Sequence, residues 1–111
     1  MKVLTLKLGE QSYSTGKITA YLSREALKVQ SEAIKVAKRG QELLKDAENV
    51  DAAGELLDDI IALRDKKAWL LCQVYGDRFT LDELEKELDD EEIDVEVNRI
   101  ISGISGVVTK N

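Results

Sequence analysis

The sequence predicts an α+β domain, predominantly helical, with a small N-terminal β-hairpin or three-stranded sheet packed on about four helices. Three observations carry this. Leu4, Leu6 and Leu8 alternate with polar residues at the start of the chain, the period of a half-buried strand. From Ser23 onward, apolar residues recur at the spacing of a helix. The chain contains no proline, so nothing breaks the helix interiors or marks an extended linker. At 111 residues, 43% hydrophobic and 34% charged, it makes a single domain, 1–111, with one core.

In the β part, 1–22, Gly9 and Glu10 supply a turn and Gln11 to Thr15 return as a second strand with Tyr13 on the inner face. After Gly16, the alternation of Ile18, Ala20 and Leu22 suggests a third short strand. The helices occupy 23–103. Ser23 is a plausible N-cap of the first, because Glu25 falls in the first turn. On that helix Leu22, Ala26, Val29, Ala33, Val36, Ala37, Gly40, Leu43, Leu44 and Ala47 share one face, the predicted core side. Leu27 and Ile34 fall off it. Asn49 or Asp51 starts the second helix. Its inward stripe is Ala53, Leu56, Leu57, Ile60, Leu63, Ala68, Leu71, Val74 and Tyr75, with Trp69 on the polar side. A short connection makes these two helices an antiparallel hairpin.

The best-specified junction follows. Gly76 can adopt the left-handed conformation that ends a helix. Thr80 and Glu83 have the T-x-x-E spacing of a capping box, flanked by Phe79 and Leu84 as a hydrophobic staple. A third helix then runs from Leu81 to about Leu88. The fourth runs from about Glu91 to Gly103, with Ile93, Val97, Ile100, Ile101 and Ile104 apolar, and 104–111 is read as a flexible tail.

The junction Phe79-Thr80-Leu81-Asp82-Glu83-Leu84, the closing Ile100-Ile101-Ser102-Gly103 and the opening Met1 to Tyr13 together resemble the small tail assembly chaperones of long-tailed bacteriophages infecting Gram-positive bacteria. The likeness spans nearly the whole chain. It implies a partner, the tape-measure protein, a long apolar helical chain that sets tail length. It also implies a site of action, the cytoplasm of the infected bacterial host, and a chaperone that is absent from the finished virion. Such proteins are often made in two lengths by a ribosomal frameshift, the longer form carrying a domain that recruits the tail-tube protein. Thr109-Lys110-Asn111 can be encoded by ACA-AAA-AAC, which contains a slippery heptamer. On that reading this chain is the short form and Gly103 to Asn111 connects to the extension.

Composition narrows the chemistry. A net charge of −6 argues against nucleic-acid binding, which relies on clustered Lys and Arg. The densest basic run, Lys35 to Arg39, is interspersed with acids and reads as a solvated face. No apolar run reaches the roughly 20 residues of a membrane helix, and Met1 leads into strand residues instead of a secretory leader. With no histidine, Ser-His and Cys-His pairs and imidazole metal ligands are unavailable. Cys72 is the only cysteine, read as a buried thiol. Gly103 to Gly106 lack the lysine and context of a phosphate loop. Glu55, Asp58 and Asp59, or Asp89 to Glu92, could hold Mg²⁺, but solvated faces and a helix start account for them better. No catalytic, cofactor or metal residues are assigned, and the chain is read as a non-enzyme.

A tail assembly chaperone is therefore the leading function. The alternative is an acidic inhibitor or DNA mimic acting on a host nucleic-acid-binding protein, which Lys28, Lys35, Lys38, Arg39, Lys45, Lys66 and Lys67 argue against by interrupting any acidic stripe. For a chaperone, Leu27, Ile34 and Trp69 are the candidate partner-binding residues, being apolar outliers on the wheels. Burial within the monomer, under the sheet or under the third or fourth helix, competes with that role. Homo-oligomerisation stays open.

Overall fold

The computed structural model describes residues 4–45 and 50–109, for 105–109 the backbone alone. Two strands and four helices follow in order: β1 (Thr5–Leu8), β2 (Gln11–Ser14), α1 (Ala20–Lys45), α2 (Val50–Val74), α3 (Leu81–Glu87) and α4 (Asp90–Thr109). β1 and β2 pair antiparallel, with Leu6 opposite Tyr13 and Leu8 opposite Gln11. Gly9 turns the chain with φ near 60°, a conformation glycine adopts without steric cost. Thr15 continues the closure, its N–H donating to Leu4 O and its hydroxyl accepting from Leu4 N. Leu6 and Leu8 are buried and Tyr13 meets Phe79 edge-on, ring centroids 4.9 Å apart. The hairpin thus lies on the α2–α3 junction.

There is no third strand among the described residues. Residues 18–22, whose alternation suggested one, instead enter α1, which begins at Ala20. Thr19, not Ser23, caps it: Thr19 Oγ1 accepts from Leu22 N, and Thr19 O accepts from Ser23 N. Ile18 and Leu22 are four residues apart, a spacing that serves a helix entry as well as a strand, and both pack against the core. α2 begins at Val50, between the two expected starts: Asp51 lies inside its first turn, while Asn49, like Ala47, falls outside the described residues.

The α2–α3 junction forms as its residues specify. Asp77 N–H donates to Cys72 O and Gly76 N–H to Gln73 O, with Gly76 at φ 80°, the paired bonds of a Schellman ending. Thr80 and Glu83 exchange side-chain to backbone bonds at 2.9 and 3.1 Å. Phe79 and Leu84 are both buried. A second reciprocal box, Asp89 with Glu92 at 2.8 and 2.9 Å, starts α4. Together the two boxes force a sharp re-entry within a few residues. α4 then buries Ile93, Val97, Ile100 and Ile101 against α1 and α2. Its backbone stays helical to Thr109, past the expected end at Gly103, so the segment read as a tail is helix as far as it is described.

Candidate partner-binding surface

The core sits at one end of the α1–α2 hairpin. On α1, Ala26 is 0% exposed while Leu44, on the same line of the helix, is 83% exposed. On α2 the relation is reversed along the chain: Val50 is 77% exposed and Ala68, on its line, 1%. In each helix the two positions are about five turns and roughly 27 Å apart. The hairpin therefore extends past the elements that cover its base and forms an arm. This corrects the wheel reading, which placed Ala37, Leu44, Ala53 and Leu57 in the core; all four are exposed. Periodicity identifies a face, but it cannot say where along the helix the cover ends.

The uncovered face is built symmetrically. Ala33, Ala37, Gly40 and Leu44 on α1 and Val50, Gly54, Leu57 and Ile61 on α2 follow the same four-three-four spacing, which lines up residues on one side of a helix. Leu57 and Ile61 are exposed, and Leu43, Leu56 and Ile60 are half-buried beside them. Gly40 faces Leu56, whose Cδ2 would lie 3.9 Å from an added Cβ, so the helices approach closely there. An ion pair between Arg39 and Asp59 ties the two together across their seam. At the base the face runs into a cleft of about 560 Å³ whose apolar lining includes Ala33, Val36, Ile60, Leu63, Leu88 and Ile93. Arg64 to Asp90 (2.6 Å) and Lys67 to Asp94 (2.7 Å) join α2 to the first turns of α4 beside it.

Of the three residues singled out from the sequence, Leu27 and Ile34 are exposed and neither the sheet nor α4 buries them. They lie on the edge of α1 away from α2. Trp69 is elsewhere and half-buried, packed against the core, with Lys66 Nζ 4.2 Å from its ring centroid. Lys66 also reaches Glu25 at 2.9 Å, and Lys28 reaches the same carboxylate at 3.2 Å. The two ammonium groups, Lys66 foremost, hold the Glu25 carboxyl below its ordinary range. Trp69 thus belongs to a braced structure at the arm's base, not to one patch with Leu27 and Ile34. The apolar lines of the arm were missed in the sequence because Ala33, Ala37, Gly40, Leu44 and Leu57 read as core, while Val50, Gly54 and Ile61 were given no role.

Reactive groups are shielded. Burial, with help from Asp77, Glu83 and Glu85, pushes the Cys72 thiol up to about 11, and the thiolate that would react is thereby suppressed. Burial likewise pushes Tyr75 up to about 12, and its hydroxyl finds no hydrogen-bond partner among the described residues. No group of three or more His, Cys, Asp or Glu among the described residues is placed to hold a metal ion. No helix there is long and apolar enough to cross a membrane.

The described residues thus form a small helical domain with an uncovered, two-helix apolar face, a surface of the kind that marks an interaction site. A family model described as phage tail chaperone protein matches residues 1–111, and the chain belongs to that family. No curated protein and no solved structure matches it.

Proposed function

We propose that this chaperone holds an apolar helical segment of the tape-measure protein on the α1–α2 arm while the tail is assembled in the cytoplasm of the infected bacterial host, a Gram-positive cell. It leaves before the virion is complete, and it catalyses no reaction. The observation that carries this reading is the exposure of Leu44, Val50, Leu57 and Ile61 on lines that form the core at the other end of the same helices. A face of that kind lacks one helix of a bundle, and an apolar helix supplies it. A longer frameshifted form that recruits the tail-tube protein fits the same scheme, because an appended domain would bring tube subunits to a tape-measure chain already held.

The test is co-expression with the tape-measure protein of the same phage. The wild-type chaperone is expected to keep that protein soluble and to co-purify with it. Leu57→Asp combined with Ile61→Asp is expected to abolish both effects while leaving the chaperone folded. Equal solubilisation by the double variant would remove the arm from the mechanism. An inhibitor of a nucleic-acid-binding protein is less well supported, since Glu25, Asp59, Asp90 and Asp94 are all engaged with Lys or Arg.

A further inference from the structure

The charges nearest the arm's apolar face on its two outer edges are sorted by sign, Glu42 lying further round α1 than the lysines on either side of it in sequence. Lys38 and Lys45, one heptad apart, follow the edge of α1 away from α2. Asp51, Asp58 and Asp65, at heptad spacing, follow the corresponding outer edge of α2. All five are exposed, and none makes an ion pair with a described residue. That separates them from Arg39, Asp59, Arg64 and Lys67, which lie nearer the hairpin seam or α4 and are paired. Heptad spacing keeps a row on one side of a helix, as at the flanking positions of coiled coils, where such charges choose partner and orientation.

We infer that the arm's occupant is one amphipathic α-helix with flanks of opposite charge, acidic toward Lys38 and Lys45 and basic toward Asp51, Asp58 and Asp65. This rests on the arm being the partner site, and it adds the partner's charge pattern and its direction. A helix laid apolar side down can run either way along the groove, but turning it end for end exchanges its flanks. Only one direction places both flanks beside opposite charge, and the other places like charges together, which is penalised. The apolar lines supply the attraction and the two rows set the polarity of docking.

Synthetic helical peptides of three heptads, sharing one leucine stripe, serve as probes below the concentration at which they self-associate. One carries Glu on one flank and Lys on the other, one carries Glu on both and one Lys on both. Against the full chain at low salt, the opposed-flank peptide is expected to bind about tenfold tighter than either uniform peptide, the advantage shrinking in high salt. A nitroxide on one end of that peptide should broaden signals at a single end of the arm. In the variant K38D/K45D/D51K/D58K/D65K the broadening should move to the other end. Equal affinities for the three peptides, or a label position unaffected by the reversal, would overturn the inference. In that case sensitivity of binding to Leu57→Asp would still uphold the arm as the site, and failure of every peptide to bind would remove both. Should the fivefold variant not fold, K38D/K45D alone is expected to raise affinity for the all-Lys peptide relative to the all-Glu one; an unchanged ratio would overturn the inference equally.

Discussion

Ala26 and Leu44 stand on one line of α1, the first sealed beneath the fold and the second almost bare to solvent. Val50 and Ala68 repeat the relation on α2 in the opposite chain direction, as an antiparallel hairpin with cover at one end requires. The same residue pattern thus does two jobs, closing the core at the base and presenting apolar surface at the tip.

This division has a direct thermodynamic consequence. Leu57→Ser on the arm removes little burial in the isolated chain, so stability is expected to change by no more than about 0.5 kcal/mol. Leu71→Ala, at a fully buried position of the same helix, is expected to cost about 2–5 kcal/mol through lost transfer energy and a cavity. Urea unfolding of the two variants checks the contrast. Equal losses would mean that the arm is covered in solution.

The capping boxes hold α3 and α4 at their angles and can be weighed separately. Thr80→Ala and Asp89→Ala each leave an N-terminal N–H without its side-chain acceptor, and each is expected to cost about 1 kcal/mol. The sites serve different helices, so the double variant should lose close to the sum. Denaturant titration of both single variants and the double provides the measurement, and a strongly non-additive result would show that α3 and α4 act as one unit.

Much of this architecture was legible because it is written locally. Gly76, Thr80 with Glu83, and Phe79 with Leu84 specify their junction through neighbours in sequence, and the structure realises each bond. The Asp89 box has the same spacing, but its acids were read only as helix-start charges. Residues 18–22 misled because Ile18 and Leu22, four apart with Ala20 midway, satisfy strand and helix periods alike. The arm was not legible at all. Whether Leu44 is core or surface depends on where α4 ends its cover, and that is set by packing between elements far apart in sequence. Leu27 and Ile34 lie outside the core as the wheel placed them, whereas Trp69, on the polar side of its wheel, packs against the core, the burial that the sequence had left open beside a binding role.

Glu25 links the arm's base to α2 and makes part of the stability pH-dependent. Its folded carboxyl is held below its ordinary value near 4.5, chiefly by Lys66 and then Lys28. The sign follows from linkage: the unfolded chain binds the proton more readily, so this contribution is complete above the ordinary value and is lost as pH falls through the lower folded value. Glu25→Gln removes it at all pH. Melting temperatures of wild type and variant are therefore expected to differ at neutral pH and to converge as the solution is acidified below pH 4.5. Curves that stay parallel across that range would assign the stabilisation to packing instead of charge.

Gly54 sets the monomer's interest against the partner's. It lies in the interior of α2 on the exposed apolar line between Val50 and Leu57, and a Cβ built there meets nothing within 4 Å. Glycine in a helix interior costs roughly 0.5–1 kcal/mol relative to alanine. No contact within the described chain requires that cost, whereas a docked helix whose backbone crosses close to α2 would. Gly54→Ala is therefore expected to raise the stability of the isolated chain by roughly 0.5–1 kcal/mol and to weaken the opposed-flank peptide about tenfold, the order of effect for a methyl group forced into a close helix crossing. Differential scanning calorimetry and peptide titration on the same preparation measure the two together. A variant that gains stability and binds the peptide as well as wild type would show that no helix passes over Gly54, and would shift the docking line toward Leu57 and Ile61.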